Sequence, residues 1–261
     1  MPDDISAAER PLTSDTIETL ANRVSVRAYT DEPVTDEQVD AVLRAAFRAP
    51  TSSNIQSYSV VVVRDEDTLA KLAVVTKGQK HVEKAPVFLA FCADLTRIDV
   101  AVRSKGGNID SNNLETGLVS SVDAALVGMS AYIAADSLGM KGVMIGAVRN
   151  DAVETAKILG LPKRVYCVFG MVLGWPDEAP PQKPRMGYET VVHYEQYGRR
   201  QDGGAVDPAI AAYDAALRAH YESVGKTTTP DSWSHDMGKK FMPEPRQGLR
   251  AQLAEQGFDF I

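Results

Sequence analysis

The sequence predicts an α+β or α/β core that ends in a purely helical arm. Two observations carry this. Over roughly the first 175 residues, β-branched apolar runs are interspersed with segments of helical periodicity. Beyond Pro176 only helical patterns recur, after an irregular stretch over 177–206 that holds Gly203-Gly204. The expected division is a core over residues 14–176, then an extended connection and C-terminal helical excursion over 177–261 that completes the same domain.

Taken in order, residues 1–13 are polar and frayed, and Thr13 to Asn22 is a short helix with Ile17, Leu20 and Ala21 on one side. Asn22 to Thr30 is extended. Thr35 and Gln38 form a capping box, and Val39, Val42, Leu43, Ala46 and Phe47 follow helical spacing until Pro50. Ser59–Val63 and Val87–Cys92 are strands. Leu118, Val122, Leu126, Met129 and Ile133 recur at helical spacing. Ser121, Ala124, Ala125, Gly128, Ala131 and Ala135 cover much of that helix with small side chains, so it lies at the centre of the molecule or at a subunit interface. Gly142–Val148 is a third strand. Asp151–Leu159 is a helix capped by Gly160, with Pro162 just beyond. Val165–Leu173 is a fourth strand. Asp207-Pro208 opens a helix with Ile210, Tyr213, Leu217 and Tyr221 on one side. Two shorter helices follow, near Trp233–Phe241 and Arg246–Gln256.

The composition excludes several function classes. A net charge of −7 disfavours nucleic acid as a partner and requires any anion site to be a local cluster of cations. Cys92 and Cys167 each sit in an apolar run without a Cys-x-x-Cys motif, as expected of buried reduced thiols in a cytoplasmic protein. The Met-Pro-Asp-Asp start lacks the features of a signal peptide. Asp123 and Asp136 mark the apolar helix as a core helix rather than a membrane span. There is no Gly-x-Gly-x-x-Gly, His-Glu-x-x-His, Gly-x-Ser-x-Gly or Walker A loop, and His81, His193, His220 and His235 show no metal-ligand spacing, so no metal is expected. With no side-chain nucleophile in evidence, any enzymatic chemistry falls to a cofactor.

Five segments are candidates for holding one. In Arg23-Val24-Ser25-Val26-Arg27, an extended backbone puts Arg23, Ser25 and Arg27 on one face. Two guanidinium forks flanking a hydroxyl suit a phosphate, although an edge strand with a polar outer face has the same pattern. Pro50-Thr51-Ser52-Ser53-Asn54-Ile55-Gln56 gathers hydroxyls and amides that fit a polar heterocycle or a plain turn. Gly142 to Ala147 brings a strand to small residues against which a flat ligand lies, as ordinary strand packing also would. Lys183-Pro184-Arg185 spaces two cations stiffly. Gly78-Gln79-Lys80-His81 is a further polar loop.

Together and in this order, these pieces resemble the nitroreductase superfamily of FMN enzymes, in particular its NADPH-dependent oxygen-insensitive nitroreductase and flavin reductase subgroup. The match extends over Tyr29-Thr30-Asp31-Glu32-Pro33, Phe91-Cys92-Ala93-Asp94, Phe169-Gly170, Leu173-Gly174-Trp175-Pro176 and Asp231-Ser232-Trp233-Ser234, and so over roughly residues 14–258. The resemblance implies an α+β fold: a central mixed or antiparallel sheet flanked by helices, in an intertwined homodimer with a C-terminal helical arm. It implies that Arg23, Ser25, Arg27, Lys183 and Arg185 hold the FMN phosphate and ribityl end. Thr51 and Ser53 reach the flavin, in this family commonly from the second subunit, Gln79 and His81 line its ring or ribityl side, and Ile145, Gly146 and Ala147 lie along the isoalloxazine. No side chain is assigned as catalytic, because the reactive atom is the flavin N5. The implied reaction is ping-pong hydride transfer from NAD(P)H to FMN, then to nitroaromatic, quinone or flavin acceptors. Ser53 and Arg246 are the expected acceptor contacts. Related enzymes carry arginines in the loop after the 207–224 helix, whereas here Lys226 is its one cation, which leaves NADPH or NADH as donor. A second departure is Gln56-Ser57-Tyr58, where many relatives have Gln-Pro-Trp. A specialised FMN-dependent step such as reductive dehalogenation, or flavin binding without turnover, are the alternative functions.

Overall fold

The structure, a computed structural model, describes residues 12–109, 113–198, 207–243, 245–258 and 260. Of the expected frayed start over 1–13, residues 1–11 lie outside the described residues, as do Gly203-Gly204. The elements, in chain order, are α1 Asp15–Ala21, α2 Asp36–Ala46, β1 Tyr58–Val63, α3 Glu66–Val75, α4 Lys80–Glu83, β2 Val87–Asp94, α5 Thr96–Arg103, α6 Leu114–Ser137, β3 Lys141–Ile145, α7 Ala152–Ile158, β4 Val165–Gly174, α8 Tyr188–Val191, α9 Pro208–Ser223, α10 Ser232–Phe241 and α11 Leu249–Glu255. They form two compact units, Met1–Pro180 with Gly248–Ile261, and Pro181–Gln247.

The first unit is built on a four-stranded sheet of order β1-β2-β4-β3 in which each neighbouring pair is antiparallel. Of the mixed or antiparallel sheet expected, it is antiparallel. Strand β2 is buried along its whole length, which explains its unbroken apolar run. Val87, Leu89 and Phe91 point into a core built with α2 and α6, while Phe88, Ala90 and Cys92 point into a second core with α3, Val82 and Val148. A bulge between Phe91 and Cys92 shifts the register against β4, and Cys92 then faces Cys167; both thiols are buried and free.

Small residues let large ones fill both cores. An added Cβ at Gly128 would stand 2.4 Å from the Phe169 ring, and one at Gly170 would stand 2.0 Å from that of Phe88. Helix α6 therefore buries its small side, Gly117, Ser120, Ala124, Val127, Gly128, Ala131 and Ala135, together with Asp123 and Tyr132. Its large side chains Leu114, Leu118, Val122 and Leu126 are exposed along one stripe.

Some expectations change. Strand β3 stops at Ile145 rather than Val148: the backbone turns at Gly146 into a 3-10 segment over Gly146–Asp151, and its Arg149 side chain donates to the Val168 carbonyl of β4. Lys80-His81, expected in a polar loop, begin one helical turn. The final helix starts at Leu249, since Arg246 has φ 51°, outside the helical range. Helices α3 and α5 had no sequence forecast, although Asp65 caps α3 by accepting from the Thr68 N–H at 2.9 Å.

In the second unit, the Asp214 carboxylate of α9 accepts the Trp233 and Ser234 N–H groups at 2.7 and 2.9 Å and the Ser234 hydroxyl at 2.7 Å. It thereby satisfies the first free donors of α10. Tyr213 and Trp233 meet edge to face, with ring centroids 5.9 Å apart.

Candidate functional site

The segment Arg23–Arg27 leaves α1 in an extended conformation and is fastened from both sides. The Tyr132 hydroxyl of α6 donates to the Val24 carbonyl at 2.8 Å, and the Val26 N–H donates to the Gly142 carbonyl of β3 at 3.2 Å. Val26 is buried, so its neighbours in the alternation turn outward. The Arg23 guanidinium lies over the Tyr132 ring, 5.6 Å from its centroid, and donates to the Ser25 hydroxyl at 3.4 Å. Arg23 and Ser25 are therefore side by side. Arg27 is exposed. Its N–H and that of Ala28 donate to one oxygen of Glu178, at 2.5 and 3.2 Å.

Arg27 and Glu178 are also electrostatic neighbours of His81, which joins α4 to this region. Burial pushes the His81 pKa down and the Arg27 cation adds to that, against an opposing pull from Glu178. Burial likewise raises the Tyr29 phenol well above its ordinary range, with Arg27 opposing. Gln79, at the N-cap of α4, is half-buried beside the left-handed Lys77 and Gly78 (φ 64° and 73°). Val82 and Ile145 share the second core, with Ala147 packed on it. Gly146 and Ala147 are half-buried, and an added Cβ at Gly146 would stand 3.4 Å from the Arg149 guanidinium. Arg23 and Ser25 are thus hydrogen-bonded, Arg27 and His81 are electrostatic neighbours, and Val26 between Ser25 and Arg27 pairs with β3, which ends at Ile145 just before Gly146 and Ala147.

The loop that carries Thr51 and Ser53 is fastened to α6, where Asp123 accepts the N–H groups of Ser52 and Ser57. Ser53 is exposed and left-handed at φ 46°. In the second unit, the Lys183 ammonium donates to the Tyr221 hydroxyl at 3.1 Å and sits 4.9 Å from its ring centroid. Arg185 donates to the Lys183 and Pro184 carbonyls at 3.4 and 3.2 Å. Lys226 and Arg246 are exposed on the same unit.

The chain matches the family model for the nitroreductase family over residues 20–175, and that for the nitroreductase family C-terminal domain over residues 183–261. The chain belongs to the nitroreductase family. This nitroreductase is 37% identical to the oxygen-insensitive NADPH nitroreductase of Salmonella typhimurium, over 94% of this chain and 98% of that one. It is 34% identical to the FMN reductase [NAD(P)H] of Bacillus subtilis, with the same coverage of 94% and 98%. Its fold is similar to that of the NADPH:FMN oxidoreductase from Vibrio harveyi complexed with NAD+, with a TM-score of 0.84 and 32% identity over 94% of this chain and 99% of that one.

Several residues that shape the site in this nitroreductase escaped sequence reasoning. Glu178 lies in an irregular connection, where no pattern distinguishes it. Tyr132 reads as one more apolar residue of a long helix. Asp123 did give a signal, as a carboxylate midway along a helix of small and apolar residues, but with Asp136 it spoke only against a membrane span. Among the described residues no group of His, Cys, Asp and Glu could hold a metal ion.

Proposed function

We propose that this nitroreductase is an FMN-dependent NAD(P)H oxidoreductase that reduces nitroaromatic, quinone or flavin acceptors. The observation that carries the reading is the fastened Arg23–Arg27 segment. It sets a guanidinium beside a hydroxyl, with a second guanidinium exposed two residues on and close to His81. Such donors fit a phosphate monoester, which takes charge-assisted hydrogen bonds from several directions. The small residues Gly146 and Ala147 after β3 fit the approach of a flat ring to the backbone, and FMN stands in the names of the Bacillus subtilis and Vibrio harveyi relatives.

FMN, when bound, supplies two-electron chemistry by accepting and passing on hydride. The chain's own residues bind and orient. Arg23, Ser25 and Arg27 would grip the phosphate, Gln79 and His81 would line the ribityl or ring side, and Ile145, Gly146 and Ala147 would support the ring. Backbone N–H groups directed at the ring would favour negative charge on it. Thr51 and Ser53 contribute from the Pro50–Gln56 loop, Ser53 toward the acceptor. Lys226 is a single exposed cation, so NADPH and NADH both remain donors.

The active form is a homodimer. The exposed stripe Leu114, Leu118, Val122 and Leu126 is contiguous along α6, and a second copy is the natural cover for it. The buried free thiols fit a cytoplasmic location.

The test is direct. The purified protein, saturated with FMN, is mixed anaerobically with NADPH or NADH and then with nitrofurazone or menadione. The yellow colour should bleach with a nicotinamide and return with the acceptor. No bleaching with either donor refutes the reductase reading, and a protein that does not bind FMN refutes the cofactor.

A further inference from the structure

Midway along α6, the Asp123 side chain is completely buried. Its Oδ1 accepts the Ser52 N–H at 3.0 Å. Its Oδ2 accepts both the N–H and the hydroxyl of Ser57, at 3.1 and 2.8 Å. One carboxylate thus holds both ends of a short arch. Between those ends, Ser53, Asn54 and Gln56 all have left-handed backbones, at φ 46°, 58° and 54°. Residues with a Cβ adopt that conformation where their surroundings impose it. Residues 52–56 are themselves exposed, while Ser57 is buried. Within the arch the Ile55 N–H donates to the Ser52 carbonyl at 2.8 Å and the Gln56 amide to the Asn54 side chain at 3.2 Å, while Asp123 fastens the arch to α6 at its feet. Arg97 adds a further hold, donating to the Gln56 carbonyl at 3.1 Å.

We infer that Asp123 is a positioning residue for acceptor binding. It sets the Ser52–Gln56 arch so that Ser53 is presented in one fixed orientation. The inference rests on the flavin reading above, in which Ser53 faces the acceptor. The chemistry requires a carboxylate, because all three incoming groups are donors. An asparagine of the same shape has one acceptor and one NH2 group, so in either orientation its NH2 faces a backbone N–H of Ser52 or Ser57. One foot of the arch is then released. Ser57 is the other half of the clamp. A proline at 57 would have no N–H to donate and would disfavour the left-handed backbone of Gln56 before it.

The test compares wild type, Asp123→Asn and Ser57→Ala, each loaded with FMN. Two quantities are measured: KM for menadione and nitrofurazone, and the single-turnover rate of flavin bleaching at saturating nicotinamide. The expected result is a rise of about fivefold or more in acceptor KM for Asp123→Asn. Ser57→Ala keeps its N–H bond and should show a smaller rise in the same direction. The bleaching rate should stay within about twofold of wild type in both. A merely structural role would lower the melting temperature without separating acceptor KM from the bleaching rate. Unchanged acceptor KM in the flavin-loaded variants, or an equal loss in both measurements, overturns the inference. If Asp123→Asn does not fold, Ser57→Ala decides by the same criteria. A wild type that binds no FMN overturns the flavin reading, and this inference with it, before any variant is compared.

Discussion

The Arg27 side chain carries the sharpest consequence at the scale of single residues. Replacing it with alanine should weaken FMN binding by about 1.5–3 kcal/mol, the range for a hydrogen bond to a charged group. Ser25→Ala, which removes a neutral donor, should cost less. Equilibrium titration with FMN checks both, and an Arg27→Ala protein with wild-type affinity contradicts the phosphate assignment. His81 provides a second readout. Burial, with help from Arg27, holds its pKa below the ordinary 6.5. The folded state thus resists protonation more than the unfolded chain does. The associated stability is present above pH 6.5 and is lost as pH falls through the lower, folded-state pKa. His81→Gln should remove that part of the acid sensitivity in urea melts between about pH 7 and 5. A phosphate beside Arg27 adds negative charge, so FMN should move the His81 titration upward in NMR spectra. A midpoint that ignores FMN would place the phosphate elsewhere.

Secondary-structure elements were legible where a periodic pattern coincided with a cap or a breaker. The Thr35–Gln38 box marks the start of α2, the apolar runs locate all four strands, and Asp207-Pro208 opens α9. What escaped was short or decided by tertiary contacts. α4 spans a single turn, and β3 gives way at Gly146 to a 3-10 turn whose Arg149 side chain donates to the Val168 carbonyl of β4. The sense of α6 was also hidden: its small residues, rather than its large ones, face the core. Within the sheet, Gly170 is held small by the Phe88 ring, which a new Cβ would meet at 2.0 Å. Gly170→Ala should destabilise the protein by roughly 1–3 kcal/mol through overpacking. Thermal or urea unfolding measures this, and a neutral effect would mean that the β2–β4 core is looser than its contacts indicate.

For the whole molecule, the candidate site was legible as a set of segments rather than as an arrangement. Arg23, Ser25 and Arg27 could be grouped from alternation alone, because an extended chain fixes which residues share a side. Their fastening by Tyr132 and Gly142, and the neighbouring Glu178, depend on long-range contacts that no local pattern encodes. Assembly is the property tested at this scale. Leu118→Glu or Val122→Glu on the α6 stripe should turn the proposed dimer into a monomer, as read by light scattering coupled to size-exclusion chromatography. A wild-type monomer, or a variant that stays dimeric, contradicts that use of the stripe. The two sides of α6 differ: inward, Asp123 accepts from Ser52 and Ser57 at the feet of the arch; outward, the exposed apolar stripe is the proposed dimer surface. A rod shared in this way ties catalysis to mass action. Diluted below its dissociation constant, the enzyme should lose specific activity per chain, with quaternary structure and turnover failing at the same concentration.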